Sequence, residues 1–355
     1  MSFLRNLVST IPRFARVGPP TIQRCLRTPF AYQRSVLPSK FYHHGSPGAH
    51  SRIAVVGTGN VGASIAYALV LKDVANEILL VDANRSLAKG QRLDLDDASL
   101  FSATHVKDVT LQEAGKADVI VITAGARQKE NESRADLIDR NYQVLESIIS
   151  AMQPIQKDAI MLLVANPVDV LTYFAQELSG LPRNQVIGSG TYLDSSRLRG
   201  FLSEVLEVNN ESIHSPVLGE HGDSQFISWN TANIAGQPIL SFPRVANLDK
   251  ELVREKIAGK AMDIIKLKGS TYFGIATCTA SLCETIIKNR RDIRPLSVYV
   301  DRLGAVMSMP AKLGWYGVEE IYELNGDPGE EQKLVDIAQE FKKTCKKYEH
   351  PNRTE

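Results

Sequence analysis

The sequence predicts an α/β chain, a doubly wound parallel sheet followed by a second, α+β domain. Three observations carry this. From Arg52 onward short apolar runs alternate with helical segments, the signature of repeated βαβ units. The runs are nearly continuous in Val, Ile and Leu, as strands covered by helices on both faces must be. After Gly190 the alternation stops, and a glycine-rich turn, long helices and a hairpin replace it.

The apolar runs are 53–56, 78–81, 119–123, 160–164 and 186–187. Between them, 63–71, 135–152 and 168–178 read as helices by their apolar spacing. Pro167 suits the first turn of the last, where a missing N–H is no loss. Beyond 190, a helix over about 195–206 leads to the turn Gly219-Glu-His-Gly-Asp223 and a strand-like stretch at 226–229. Helices at about 248–267 and 276–288, a hairpin of 298–300 with 306–309, and a charged helix at 330–347 complete the pattern. The domains are therefore drawn at 50–190 and 191–355.

The 355 residues, 43% apolar and 23% charged, fit two packed domains. No apolar run approaches the roughly 20 residues of a membrane-spanning helix, so no membrane partner is expected. The net charge of +1 argues against a polyanion, and no nucleic-acid partner is expected. The charge is unevenly spread, however. Residues 1–50 carry Arg5, Arg13, Arg16, Arg24, Arg27, Arg34 and Lys40 and no acid, which leaves 34 basic against 40 acidic residues in the rest. Leu4, Leu7, Val8 and Ile11 recur at helical spacing with Arg5 off their face. That make-up predicts a mitochondrial transit peptide over 1–48 and a matrix location. A disordered or nucleic-acid-binding basic tail on a cytoplasmic protein is the alternative. Cys278, Cys283 and Cys345 show no CxxC or Cys/His ligand spacing, so free thiols and no metal are expected.

Ile53-Ala-Val-Val-Gly57-Thr-Gly59-Asn60-Val61-Gly62 is a strand running into GxGxxG and an apolar helix. An acid, Asp82, ends the next strand about twenty residues on, which completes a Rossmann-type dinucleotide fingerprint. Gly57 permits the turn, Gly59 admits a pyrophosphate, and Gly62 lets helix and strand pack closely. The helix N-terminus offers free N–H groups to the phosphates. Asp82 can accept from both hydroxyls of the adenine ribose and would repel a 2′-phosphate, so NAD is expected over NADP. The plainer reading is glycines that build a turn and an Asp82 that caps the next helix. Two further loops end strands where such sheets bind ligands, Thr123-Ala124-Gly125-Ala126 and Val164-Ala-Asn166-Pro167. Ala124, Gly125, Val164 and Asn166 are placed at the cofactor with Asn60, Val61 and Asn141. Asn166 also suits the substrate oxygen, and as a residue before proline it suits a plain turn.

The chemistry that fits such a cofactor is hydride transfer to and from a 2-hydroxy acid, which needs a base, a partner for it and cations for the substrate. His221, between glycines, is the acid/base, because an imidazole shuttles protons near neutral pH. Asp194, in Gly190-Thr-Tyr-Leu-Asp-Ser-Ser-Arg197, is the partner that orients the ring. Arg197, at i+3 from Asp194, is the planar clamp for a substrate carboxylate. Arg134 ends a polar, charged stretch that reads as a loop closing over the site. Each has a plainer reading: a structural histidine, a helix cap, a surface ion pair and a solvated loop.

The motifs GTGNVG, ANPVD, GTYLDSSRLR and GEHGDS, spread over residues 51–347, resemble the L-lactate/malate dehydrogenase family. The resemblance implies that His221, Asp194 and Arg197 act as just described and that Arg134 polarises the substrate carbonyl. It places Gln128 where malate-specific members carry an arginine for the second carboxylate, so a methyl-ended substrate such as pyruvate is implied. It places Thr271 beside that methyl group and Ile275 near the nicotinamide. It implies a homodimer or homotetramer, and puts Arg199 and His214 where some members bind a sugar bisphosphate. Asn131, Tyr272 and Gly274 depart from the family's common wording. A malate-type enzyme, and an NAD-binding subunit without chemistry, remain as competing readings.

Overall fold

The computed structural model describes residues 51–126, 133–324 and 327–348. The expected leader, and Arg127, Gln128 and Asn131 of the closing loop, lie outside the described residues.

Strands β1 (Arg52–Val56), β2 (Glu77–Val81), β3 (His105–Asp108), β4 (Val119–Ile122), β5 (Ile160–Leu163) and β6 (Val186–Gly188) are parallel. Their order is β3-β2-β1-β4-β5-β6, so the winding reverses between β1 and β4. In such a sheet the crevice for a ligand opens at the carboxyl ends of those two strands. β4 and β5 are buried at every residue, as their unbroken apolar sequences require. Helices α1 (Asn60–Leu71), α2 (Arg85–Ala98), α3 (Leu111–Ala114), α4 (Arg134–Met152) and α5 (Val168–Ser179) connect the strands.

Helix α6 (Tyr192–Leu206) opens the second half. Short strands β7 (Ile213–His214), β8 (Val217–Leu218), β9 (Phe226–Ile227), β10 (Asn233–Ile234) and β11 (Gln237–Pro238) form a three-stranded sheet and a separate pair. Helices α7 (Pro243–Ala246), α8 (Lys250–Lys268) and α9 (Phe273–Ile287) follow. Strands β12 (Asp292–Val300), β13 (Ala305–Gly314) and β14 (Gly317–Ile321) then extend the main sheet antiparallel to β6, and α10 (Pro328–Lys346) ends the described chain. One large core runs through the nine-stranded sheet. A smaller one gathers Leu198, Leu202, Ile213, Ile227 and Ile257 around α6 and α8.

Most expected elements are present, and the differences have physical causes. Helix α2 buries only Ala88 and Leu95, so its sequence lacks an apolar stripe to announce it. Its start is set instead by Asn84, whose side chain accepts from Leu87 N–H. Strand β3 is an edge strand and exposes His105, Lys107 and Asp108, which hides its pairing. The expected hairpin is the β12–β13 pair of a three-stranded antiparallel extension that β14 completes. Pro167 caps α5 in extended conformation rather than lying inside its first turn.

Candidate active site

The loop after β1 is built on close backbone contacts. Gly57 has φ +97°, and a Cβ there would lie 2.7 Å from the Ala124 nitrogen. A Cβ on Gly62 would lie 1.8 Å from the Gly57 carbonyl oxygen. Both positions therefore need glycine for space alone. Thr123 Oγ1 donates to the Gly57 carbonyl at 2.7 Å and so ties the loop to the end of β4. Gly59 is different: nothing lies within 4 Å of the place its Cβ would take. That open cradle sits at the N-terminus of α1, whose cap offers no side chain to the first N–H groups. A pyrophosphate fits there both in space and in charge.

Asp82, half-buried at the end of β2, already accepts from Thr58 N–H at 2.7 Å, Thr58 Oγ1 at 3.1 Å and Asn84 N–H at 2.8 Å. Three of about four acceptor sites on a carboxylate are thus in use. One site is left for a ribose hydroxyl, and the same carboxylate shapes the loop through Thr58 and Asn84.

Asn141 on α4 is 2% exposed. Its Oδ1 accepts from Ala126 N–H at 2.7 Å, and its Nδ2 donates to the Asn166 carbonyl at 2.8 Å. It therefore serves the cofactor cleft as a strut between the two loops, not as a surface within it. Asn166 itself is exposed at the end of β5 and Val164 is buried. Asn60 Nδ2 donates to Ser270 Oγ at 3.2 Å, which brings the glycine loop to the segment carrying Thr271. Thr271 and Ile275 are half-buried, and a Cβ on Gly274 would lie 3.2 Å from Leu193. The glycine at this departure from the family pattern thus keeps room beside α6.

His221, Asp194 and Arg197 are brought together. His221 Nδ1 lies 2.9 Å from Asp194 Oδ2, and Arg197 Nη1 donates to Asp194 Oδ1 at 3.1 Å. The side chains of Asp194 and Arg197 are 2% and 10% exposed, while that of His221 is 30% exposed and reaches the cleft. Burial works to raise the Asp194 carboxyl, but the hydrogen bonds and charges of His221 and Arg197 outweigh it and hold the group below the usual carboxylate range. Burial also works against a charged His221. The hydrogen bond and charge of Asp194, helped by the charge of Asp169, overcome this and push the imidazole above its ordinary value. The ring therefore keeps a proton available to higher pH than a free histidine.

The turn that carries His221 is held from three sides. Gly219, at φ +88°, pairs with Ser308 of β13 in both directions, at 3.1 and 2.8 Å. Arg254 of α8 donates to the Asp223 carbonyl at 3.1 Å. Asp169 of α5 accepts the His221 backbone N–H at 2.8 Å. Asp169 and Arg254 were not among the residues singled out from sequence. The signal for Asp169 is present, since it is the lone charge in the first turn of Val168-Asp-Val-Leu-Thr-Tyr-Phe. Arg134 is the first residue of α4, directly after the capping Ser133. A groove of about 350 Å³ between α6 and α8, lined by Arg197, Phe201, Lys256 and Lys260, meets the site only at Arg197. His221 does not line it, so it is not the reaction chamber. Among the described residues no group of three or more His, Cys, Asp or Glu is placed to hold a metal, and no helix is long and apolar enough to cross a membrane.

A dinucleotide cleft opening onto a histidine of raised proton affinity and a nearly buried arginine is what a nicotinamide-dependent dehydrogenase of carboxylate substrates requires. Comparison with known proteins narrows the class. Residues 51–188 match the lactate/malate dehydrogenase NAD binding domain, and residues 191–351 match the lactate/malate dehydrogenase alpha/beta C-terminal domain. The chain is 55% identical over 293 residues to L-lactate dehydrogenase A of Rhizopus oryzae, covering 82% of this chain and 92% of that one. It is 39% identical over 303 residues to L-lactate dehydrogenase of Lacticaseibacillus casei, with 83% and 93% covered. A solved structure of the minor L-lactate dehydrogenase from Enterococcus mundtii superposes with a TM-score of 0.80 at 32% identity, over 86% of this chain and 99% of that one. A lactate dehydrogenase from a Medee basin deep-sea metagenome library gives 0.79 at 33% identity, over 84% and 98%. The chain belongs to the lactate/malate dehydrogenase family, an oxidoreductase family that uses NAD.

Proposed function

We propose that this chain is an L-lactate dehydrogenase that interconverts pyruvate and L-lactate. The observation that carries the chemistry is the contact of His221 Nδ1 with buried Asp194, with Arg197 on the same carboxylate. Asp194 holds the ring so that Nε2 faces the reacting oxygen. In reduction, the imidazolium gives its Nε2 proton to the carbonyl oxygen of pyruvate. In oxidation, the neutral ring takes the proton from the lactate hydroxyl. Bound NAD supplies the other half of the reaction by accepting or donating the hydride. Arg197 spends one of five N–H donors on Asp194 and keeps the rest for the substrate carboxylate. Arg134 is assigned to polarise the carbonyl, with Asn166 and Thr271 lining the substrate. Gly57, Gly59, Asn60, Val61, Gly62, Asp82, Ala124, Gly125, Val164, Asn166 and Ile275 are assigned to NAD.

Pyruvate over oxaloacetate is supported by relatives named L-lactate dehydrogenase and by Gln128. A neutral amide does not offset the desolvation of a second carboxylate. Initial rates with NADH and each oxo acid test the reading: pyruvate should be strongly preferred. A preference for oxaloacetate would make the enzyme malate-type, and activity with neither would leave a binding subunit.

The reading extends to location and assembly. The acid-free, arginine-rich segment 1–48 supports import into mitochondria. Tyr67, Leu71 and Leu93 on α1 and α2, with Leu100 and Phe101 just beyond, are exposed apolar side chains that support a homo-oligomer.

A further inference from the structure

Asp169 is a buried carboxylate that the reaction as described does not use. It is 1% exposed, in the first turn of α5. Its Oδ2 accepts the backbone N–H of His221 at 2.8 Å, and its Oδ1 accepts from Ser297 Oγ at 2.6 Å. Ser297 is fully buried on β12, at the one register pair that joins β12 to β6 through Gly188. Space there is tight, because a Cβ on Gly188 would lie 2.8 Å from Ser297 Cβ and 2.5 Å from Thr172 Oγ1. The carboxylate is thus held by the junction of the parallel and antiparallel parts of the sheet, and it in turn holds the catalytic turn. A surface turn needs no buried charge to accept one backbone N–H, since a carbonyl or an amide would do. Keeping an anion out of water is costly unless its charge acts on something.

We propose that Asp169 is a positioning residue for His221, a second carboxylate that anchors its backbone and favours its protonated form. The proposal rests on the acid/base role given to His221 above. Among the described residues, the charged groups acting on His221 are Asp194 and Arg197 from α6 and Asp169 from α5, and Glu220 and Asp223 are its acidic neighbours in the turn. Arg254 of α8 touches this turn through the Asp223 carbonyl and is paired with Glu251 of its own helix. Asp194 acts on the ring itself, through Nδ1. Asp169 acts from the backbone side, and its charge adds to that of Asp194 against the opposing charge of Arg197. Two anions against one guanidinium favour the protonated ring against the burial that opposes it.

The test is Asp169→Asn, which keeps the shape, an acceptor for His221 N–H and a donor for Ser297. The protonation midpoint of His221 is read by NMR on the full enzyme without substrate, and the pH profile of pyruvate reduction is read beside it. The expected result is a midpoint lower by roughly half a unit to one unit. The low-pH plateau of turnover should stay within about threefold of the parent, a small part of the span of general acid–base catalysis. A plateau loss with an unmoved midpoint would reduce Asp169 to a structural prop and overturn the proposal. Ser297→Ala covers the case in which that variant does not fold. It removes a hydroxyl from the carboxylate and leaves the charge, so the midpoint should hold or rise, and a fall would overturn the proposal. Because the NMR titration needs no substrate, it decides the matter even if pyruvate proves not to be the substrate.

Discussion

The cofactor cleft and the chemical site are built on opposite plans. The cleft is made of backbone: a loop after β1 whose glycines touch Ala124 and one another, and a helix end with unclaimed N–H groups. Its parts are neighbours in sequence or on adjacent strands. The chemical site is made of side-chain charges carried in from α5, α6, α8 and the turn after β8, and it works because three of them share little water. A backbone site recognises a ligand by shape and by dipoles that are always present. A charge site must also be kept in the right protonation state, and here buried carboxylates hold both the backbone and the ring of His221.

The comparison predicts that damage to the two sites will separate cleanly. The largest effect belongs to the chemical site. His221→Asn should lower turnover by a factor on the order of 10²–10⁴ while NADH binding, followed by its fluorescence, stays near the parent value. Turnover at the parent rate would remove His221 from the mechanism.

Gly62→Ala attacks the backbone plan, because its Cβ has no room beside the Gly57 carbonyl. It should cost about 1–3 kcal/mol by overpacking, and NADH affinity should fall roughly ten- to a hundredfold. Unaltered melting and unaltered affinity together would show that the loop yields, and the contrast drawn above would fail.

The pH dependence sharpens the comparison further. His221 titrates above its ordinary value, so pyruvate reduction should persist through neutral pH and decline as pH rises through that raised value. Its share of stability follows the same sign, being complete below the unfolded value and lost on the alkaline side. Asp194 is held low, so its share is present above the unfolded carboxylate value and lost as pH falls through the folded one. Asp194→Asn removes the raising influence and leaves burial, so the alkaline decline of the reduction rate should begin about one to two pH units lower. An unmoved profile would mean that the decline reports another group.

The smallest effect is expected at the rim of the cleft. Asp82→Ser should narrow the ratio of NADH to NADPH efficiency by roughly fivefold, the scale of one half-exposed charge contact. An unchanged ratio would leave Asp82 as an organiser of Thr58 and Asn84 only.

How much of this was legible before the structure follows the same division. The parallel strands announced themselves because both faces of each are buried, so their sequences are apolar without a break. The glycine fingerprint was legible because steric limits at Gly57 and Gly62 act between near neighbours, and Asp194 and Arg197 because a helix sets residues three apart on one face. Helix α2 and strand β3 lie at the solvent edge, where little burial leaves little pattern. Whether His221 meets Asp194 could not be read from spacing, since 26 residues, the rest of α6 and then turns and short strands, stand between them. That Asp82 has only one acceptor site to spare, that Asn141 is a strut, and that Asp169 grips the catalytic turn were decided by tertiary structure alone. Steric permission and periodicity are local properties that a chain carries in its order of residues. Hydrogen-bond partners and proton affinities depend on which distant groups share a space without water, and that is settled only when the sheet has closed.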